Sequence, residues 1–151
     1  MSQHVKFDGI IISNRGNISG RQPELENKLT YLQDALKAGW HVCLDVVFHC
    51  GNFILPRDGK YDVAPPAFLS RQRVWCRAHD PETLDALCNI SAHAFLISDS
   101  PTLTSSQFVW TPPDGILTAR SIAGFPEQGA PSWLVQYEPA GLCSDVPANY
   151  V

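Results

Sequence analysis

Short apolar runs, each closed by a cluster of polar residues, recur along this chain and constrain its fold more than any other feature. Gly9–Ser13 (GIIIS) breaks into Asn14-Arg15-Gly16-Asn17, and Arg73–Ala78 (RVWCRA) runs into His79-Asp80. Between them, His41–Phe48 (HVCLDVVF) is apolar after its opening His41 except for Asp45. Continuous apolar runs of this length read as strands covered on both faces, as in a parallel sheet. After the first run, Leu25, Leu29, Leu32 and Leu36 recur at three- and four-residue intervals, which predicts a helix over Glu24–Ala38. Lys37 in its last turn and Gly39 just beyond supply a stop. Strand, helix and strand with short connections make a βαβ unit.

The second half is more compressed. Phe53–Leu55 reads as a short hairpin partner of the preceding strand, and residues 57–66, rich in Gly, Asp and Pro, read as loop. Asp80 can cap a helix that starts at Pro81, carries Glu82 in its first turn and ends near Cys88. Ala94–Ile97, Phe108–Thr111, Ser121–Phe125 and Leu142–Ser144 are further strands, and Thr102–Ser106 fits a single turn. The connections between these later strands are too short or too rich in Pro and Gly for full helices.

Length decides how this alternation can close. A complete (β/α)₈ barrel usually needs about 250 residues, and the chain has 151. The expectation is therefore one α/β domain over residues 1–151, a compact or incomplete TIM-type (β/α) barrel with reduced helices in its C-terminal half. Apolar residues at 44% and charged residues at 17% exclude a disordered chain. A net charge of -4 offers no basic footprint for nucleic acid. No run approaches the roughly 20 apolar residues of a membrane span. The opening MSQHVKFDGIII lacks the pattern of a secretory leader. Five cysteines, an odd number without a CxxC pair, read as buried small hydrophobes in a reducing compartment. Together these features predict a soluble, cytoplasmic protein.

In parallel α/β folds, functional side chains collect at the C-terminal ends of the strands. Here those ends hold Asn14-Arg15-Gly16-Asn17, Asp45, Arg57-Asp58, Arg77-Ala78-His79-Asp80, Ser98-Asp99, Thr111-Pro112, Pro126-Glu127 and Ser144-Asp145, with Glu26-Asn27 after the first strand. The carboxylates Glu26, Asp45, Asp58 and Asp145 are donors for a divalent cation. The guanidinia of Arg15, Arg57 and Arg77 are donors for a phosphate. Several of these residues also have ordinary structural readings. Arg57 and Arg77 can pair with neighbouring Asp58 and Asp80, Glu26 suits a first helical turn, and Asp145 suits a turn. His49 and His79 read as surface histidines. Asp45, inside an apolar strand, needs a partner.

The order IISNRGN, ELEN, VCLDV and ILPRDG resembles the glycerophosphodiester phosphodiesterases, a family of phospholipase-C-like phosphodiesterase barrels. The resemblance runs from about Ile10 to Asp145 and takes in VWCRAHDPETL, TLTSSQFVWTPP and GLCSD, as in a short branch of that family. It implies two histidines as general acid and base, and acidic residues that hold Ca²⁺ or Mg²⁺. This chain has Asn14 and Arg57 where the two histidines are expected, and Cys43 where the metal-binding Glu of Glu-x-Asp is expected. Arg15, Gly16, Glu26, Asn27, Asp45 and Asp58 match the pattern, and Arg77 stands where the short branch would have His.

These replacements change the chemistry. Asn exchanges no proton near neutral pH and Arg stays protonated, so Asn14 and Arg57 cannot act as the histidines would. Cys43 removes a hard oxygen donor from a site in which Glu26 and Asp45 would hold the metal. The expectation is a degenerate phosphodiesterase-like protein without metal-dependent hydrolysis, binding a phosphorylated small molecule through Arg15, Arg77 and Asn27. Two alternatives stand beside it. One is an active phosphodiesterase in which His79 or His49 handles the proton, with Ca²⁺ or Mg²⁺ on Glu26, Asp45 and Asp145. The other is a non-catalytic interaction protein, in which missing outer helices expose an apolar face and drive homo-oligomer formation.

Overall fold

Alternation within the apolar runs, more than the runs themselves, builds this molecule. The computed structural model describes residues 5–151; the first four residues of the opening MSQHVKFDGIII stretch lie outside the described residues. In chain order the elements are β1 (Ile10–Asn14), α1 (Leu29–Lys37), β2 (His41–His49), β3 (Asn52–Arg57), β4 (Lys60–Ala64), α2 (Pro66–Leu69), β5 (Val74–Ala78) and α3 (Pro81–Asn89). They continue with β6 (His93–Leu96), β7 (Thr102–Leu103), β8 (Val109–Thr111), β9 (Ser121–Gly124), α4 (Trp133–Gln136) and β10 (Gly141–Ser144). Two 3₁₀ turns, Pro126–Gln128 and Pro147–Tyr150, complete the described chain.

The main sheet runs β6-β5-β2-β1-β10-β9-β8-β7, parallel throughout except for β7, which is antiparallel to β8. β3 pairs antiparallel with the far end of β2, as expected for a hairpin, and β4 pairs antiparallel with β3. The sheet curls until its ends meet. Ser105 N, just past β7, donates to Ala94 O on β6 at 2.7 Å, and Phe95 on β6 stacks on Trp110 of β8 at 4.2 Å.

The expected TIM-type barrel, compact or incomplete, is not what forms. The described residues make a ten-stranded mixed sheet with only four short α-helices, a mostly-sheet fold. The longest helices, α1 and α3, have nine residues each, and α2 and α4 have four. The reason is local. Leu25, predicted as the first core position of α1, lies in a turn and is 40% exposed, so that helix starts only at Leu29. Within residues 57–66, expected to be loop, Lys60–Ala64 forms a strand, which adds an antiparallel ribbon. Pro101, Pro112, Pro113, Pro126, Pro131 and Pro139 interrupt the connections after β6 other than the short β7–β8 turn. α3 forms as its signals predict: Thr83 N donates to the Asp80 carboxylate at 2.7 Å, and Pro81 opens the first turn.

Successive side chains on a strand point to opposite faces. On the outer face, Val42, Leu44, Val46, Val74, Cys76 and Ala94 pack under α1, α2, α3 and the β3–β4 ribbon. A smaller outer cluster places Leu142 and Ala123 under Trp133 and Tyr150. The inner face contributes one side chain from each parallel strand: Ile12, Cys43, Trp75, Phe95, Trp110, Ile122 and Cys143. Two residues further along β1, β2, β5 and β10, the same face reaches the C-terminal end and becomes polar, with Asn14 above Ile12, Asp45 above Cys43, Arg77 above Trp75 and Asp145 above Cys143, whereas β6, β8 and β9 carry Ile97, Pro112 and Gly124 there.

Candidate functional site

Asp45 is the hub of this polar layer. It is 3% exposed and lies opposite Arg77 in the β2–β5 register. Arg77 Nη1 donates to its Oδ1 at 3.1 Å, His79 Nε2 lies 3.0 Å from the same oxygen, and Arg15 Nε donates to Oδ2. Burial alone would raise the Asp45 pKa. The His79 hydrogen bond and the Arg77 and Arg15 guanidinia outweigh it and hold the carboxyl well below the usual range. Arg77 is itself 7% exposed; its Nη2 donates to Asn14 Oδ1 at 3.2 Å, and its guanidinium sits 5.8 Å from the centre of the Phe95 ring.

Arg15 reaches Asp45 because the chain turns back sharply after β1. Its φ is 57°, a left-handed conformation uncommon outside glycine, and its N–H donates to Cys43 O at 2.7 Å. Gly16 follows with φ 94°, where a Cβ would meet the Tyr31 ring at 2.5 Å. Arg15 also lies 3.5 Å from buried Glu26, which Arg21 shares at 3.4 Å. Asn27 has φ 65° and acts as a clamp. Its side chain accepts from Asp45 N at 2.8 Å and donates to Asp45 O at 2.9 Å and Pro56 O at 3.0 Å.

A second hub lies on the other side of β1. Asn14 Nδ2 and Asn17 Nδ2 both donate to Asp145 Oδ1 at 2.9 Å, and Tyr31 donates its hydroxyl to Asn17 Oδ1 at 3.2 Å. Glu127 fixes the chain beneath Asp145, accepting from Ser144 Oγ at 2.8 Å and from Asp145 N at 3.1 Å.

Above both hubs opens a pocket of about 380 Å³. Its polar wall is Asn14, Arg15, Arg21, Arg77 and Asp145, and its apolar wall includes Phe95, Ile97, Trp110, Pro112 and Phe125. The structure therefore brings Asn14, Arg15 and Arg77 to one cavity, with Asp45 directly behind them. Arg77 pairs with Asp45 rather than with Asp80. Arg57 does not line the cavity. It pairs with Asp62 of the β3–β4 ribbon at 3.1 Å, while Asp62 also accepts from Leu29 N at the start of α1. Asn27 does not line it either, and its side chain is committed to backbone groups.

The residues present do not suit a hard divalent cation. Asp45 is taken up by two guanidinia and His79, and Glu26 by two guanidinia. A cation there would have to displace fixed positive charge. No group of three His, Cys, Asp or Glu side chains converges on a metal position among the described residues. No described helix is long and apolar enough to cross a membrane. Arg21 and Asp62 escaped sequence reasoning, because nothing in a lone loop arginine or a ribbon aspartate marks a partner. No protein-family model, curated protein or solved structure matches the chain. The phosphodiesterase resemblance thus rests on its own motifs.

Proposed function

We propose that this chain binds a phosphorylated small molecule in the 380 Å³ pocket, without a divalent cation and without hydrolysing phosphodiesters. The observation that carries this reading is the Arg15–Asp45–Arg77 arrangement. One buried carboxylate holds two guanidinia in fixed positions at the pocket wall. Such pre-orientation lowers the ordering cost of gripping an anion, and guanidinia match phosphate oxygens in pairs. Arg21, whose side chain is 62% exposed and pairs with Glu26 at 3.4 Å, adds a third cation at the rim. The left-handed backbone at Arg15 is strain concentrated at a binding surface.

The proton chemistry of a hydrolase has no evident carrier at this pocket. Asn14 stands at the wall, and neither His79, whose Nε2 lies on Asp45, nor His49, at the exposed end of β2 beside the hairpin turn, lines the pocket. The test is calorimetric titration of glycerol 3-phosphate in chelator, repeated with Ca²⁺ and with Mg²⁺, alongside an assay on glycerophosphodiesters. Binding of equal strength in all three conditions with no turnover supports the reading. Metal-dependent turnover that Asp45→Ala abolishes would overturn it.

A further inference from the structure

The order of the strands divides the pocket into two unlike sides. Arg77 comes from β5, Asn14 and Arg15 from the end of β1, and Asp145 from the end of β10, all on one stretch of the sheet. Ile97 follows β6, Pro112 follows β8 and Phe125 follows β9, and these face the polar groups from the other stretch. The stacked Phe95–Trp110 pair, inclined by 20°, connects the two ends of the sheet on the apolar side. Gly124 lines that side at a close approach to β8. A Cβ there would lie 3.1 Å from Thr111 O and 3.5 Å from Trp110 Nε1. Ile97 lines the same cavity as this aromatic pair and is 50% exposed, so the apolar side has room for a partner.

Asp145 stands where the two sides meet. Its Oδ1 takes both amide hydrogen bonds, and its second carboxylate oxygen has no hydrogen-bond partner among the described residues. A carboxylate in this place repels a bare phosphate and accepts a hydroxyl. The cavity thus offers cations for a phosphate, an acceptor for a hydroxyl and a carbon surface for a ring. Glycerol phosphate would leave the apolar side wet.

Building on the anion-binding reading above, we propose that the ligand is a nucleoside monophosphate. Its phosphate lies at Arg15 and Arg77, a ribose hydroxyl donates to Asp145, and its base packs against Ile97 and Phe125. A cavity of about 380 Å³ suits a molecule of that size.

Four probes titrated in chelator test this: adenosine 5′-monophosphate, adenosine, glycerol 3-phosphate and inorganic phosphate. The nucleotide should bind at least about tenfold tighter than glycerol 3-phosphate, as base packing on apolar side chains allows, and tighter than adenosine. Ile97→Ala should narrow the ratio between nucleotide and glycerol 3-phosphate. Asp145→Ala should weaken the nucleotide and strengthen inorganic phosphate. If glycerol 3-phosphate binds as tightly as the nucleotide, or if the two substitutions leave the ratios unchanged, this inference is overturned and the anion-binding reading stands. If no phosphate compound binds, both are overturned.

Discussion

The two ends of the curled sheet's interior are built from the same strands and opposite chemistry. At the C-terminal ends, Asp45 and Asp145 organise guanidinia and amides around an open pocket. Nearer the N-terminal ends, Trp75 fills the interior. Its ring stacks on His93 at 4.7 Å and meets the edge of Phe108 at 5.3 Å, and its Nε1 donates to His41 Nδ1 at 3.2 Å. The same β5 strand supplies Trp75 to the plug and Arg77 to the mouth, two residues apart. Packing holds one end shut, while charge pairs hold the other in shape around a cavity. A single curled sheet can therefore close one end by packing and keep the other open by charge pairs.

Substitutions can break or sharpen that contrast. Trp75→Ala removes the plug and should cost about 3–5 kcal/mol, read as a shift in denaturant midpoint, because the ring is fully enclosed by neighbours that cannot collapse onto the space. Arg77→Met leaves Asp45 buried with one guanidinium fewer and should cost about 3 kcal/mol while also weakening phosphate binding. Equal losses of stability from a change such as Arg21→Ala would erase the distinction between the ends. Arg21 is exposed, so its removal should move stability by no more than about 0.5 kcal/mol and act on ligand affinity instead.

The two ends should also respond to acid in different windows. His41 titrates low because of burial, then Arg73 and His93, and His93 titrates low because of burial. Their neutral forms are the folded ones. Stability from the plug is therefore complete above about pH 7 and declines as pH falls through roughly 6.5, where the unfolded histidines take up protons. Asp45 is ionised in the fold, with its pKa depressed. Its contribution is complete above about pH 5 and is lost as pH falls through roughly 4 and below. Thermal melts from pH 8 to pH 3 should show two separate declines. The upper one should disappear in a variant carrying Phe at positions 41 and 93, and a single decline below pH 4 in the wild-type protein would contradict the plug's role.

The strands were the most legible part of the molecule. Seven apolar runs became β1, β2, β5, β6, β8, β9 and β10, because residues buried on both faces must be apolar almost throughout. β4 was not legible. Of its residues only Ala64 is buried, while Tyr61 and Val63 face outward at 63% and 52% exposure, so Lys60–Ala64 carries no apolar face to recognise. The start of α1 was misread for a related reason, since leucine spacing at Leu25 marks a possible turn of helix but not whether the sheet will cover it, whereas α3 followed its capping signals. Within the site, Asp45 announced its need of a partner by sitting in an apolar strand. The identity of that partner was visible only in the register, where Asp45 and Arg77 each follow an inward core residue by two positions. The Asn14–Asp145–Asn17 hub joins residues about 130 positions apart, and no local pattern encodes that pairing.

The cysteines give the molecule a built-in clock. Cys50 and Cys88 are exposed, whereas Cys43 and Cys143 face the interior layer and Cys76 packs on the outer side against Leu69. Burial lifts the Cys76 and Cys143 thiols further from the reactive thiolate form. An alkylating reagent should therefore take two equivalents at once and the rest only as fast as the sheet opens. Mass spectrometry of which buried thiol is labelled first would report whether the chain breathes from inside its curl or from beneath its helices.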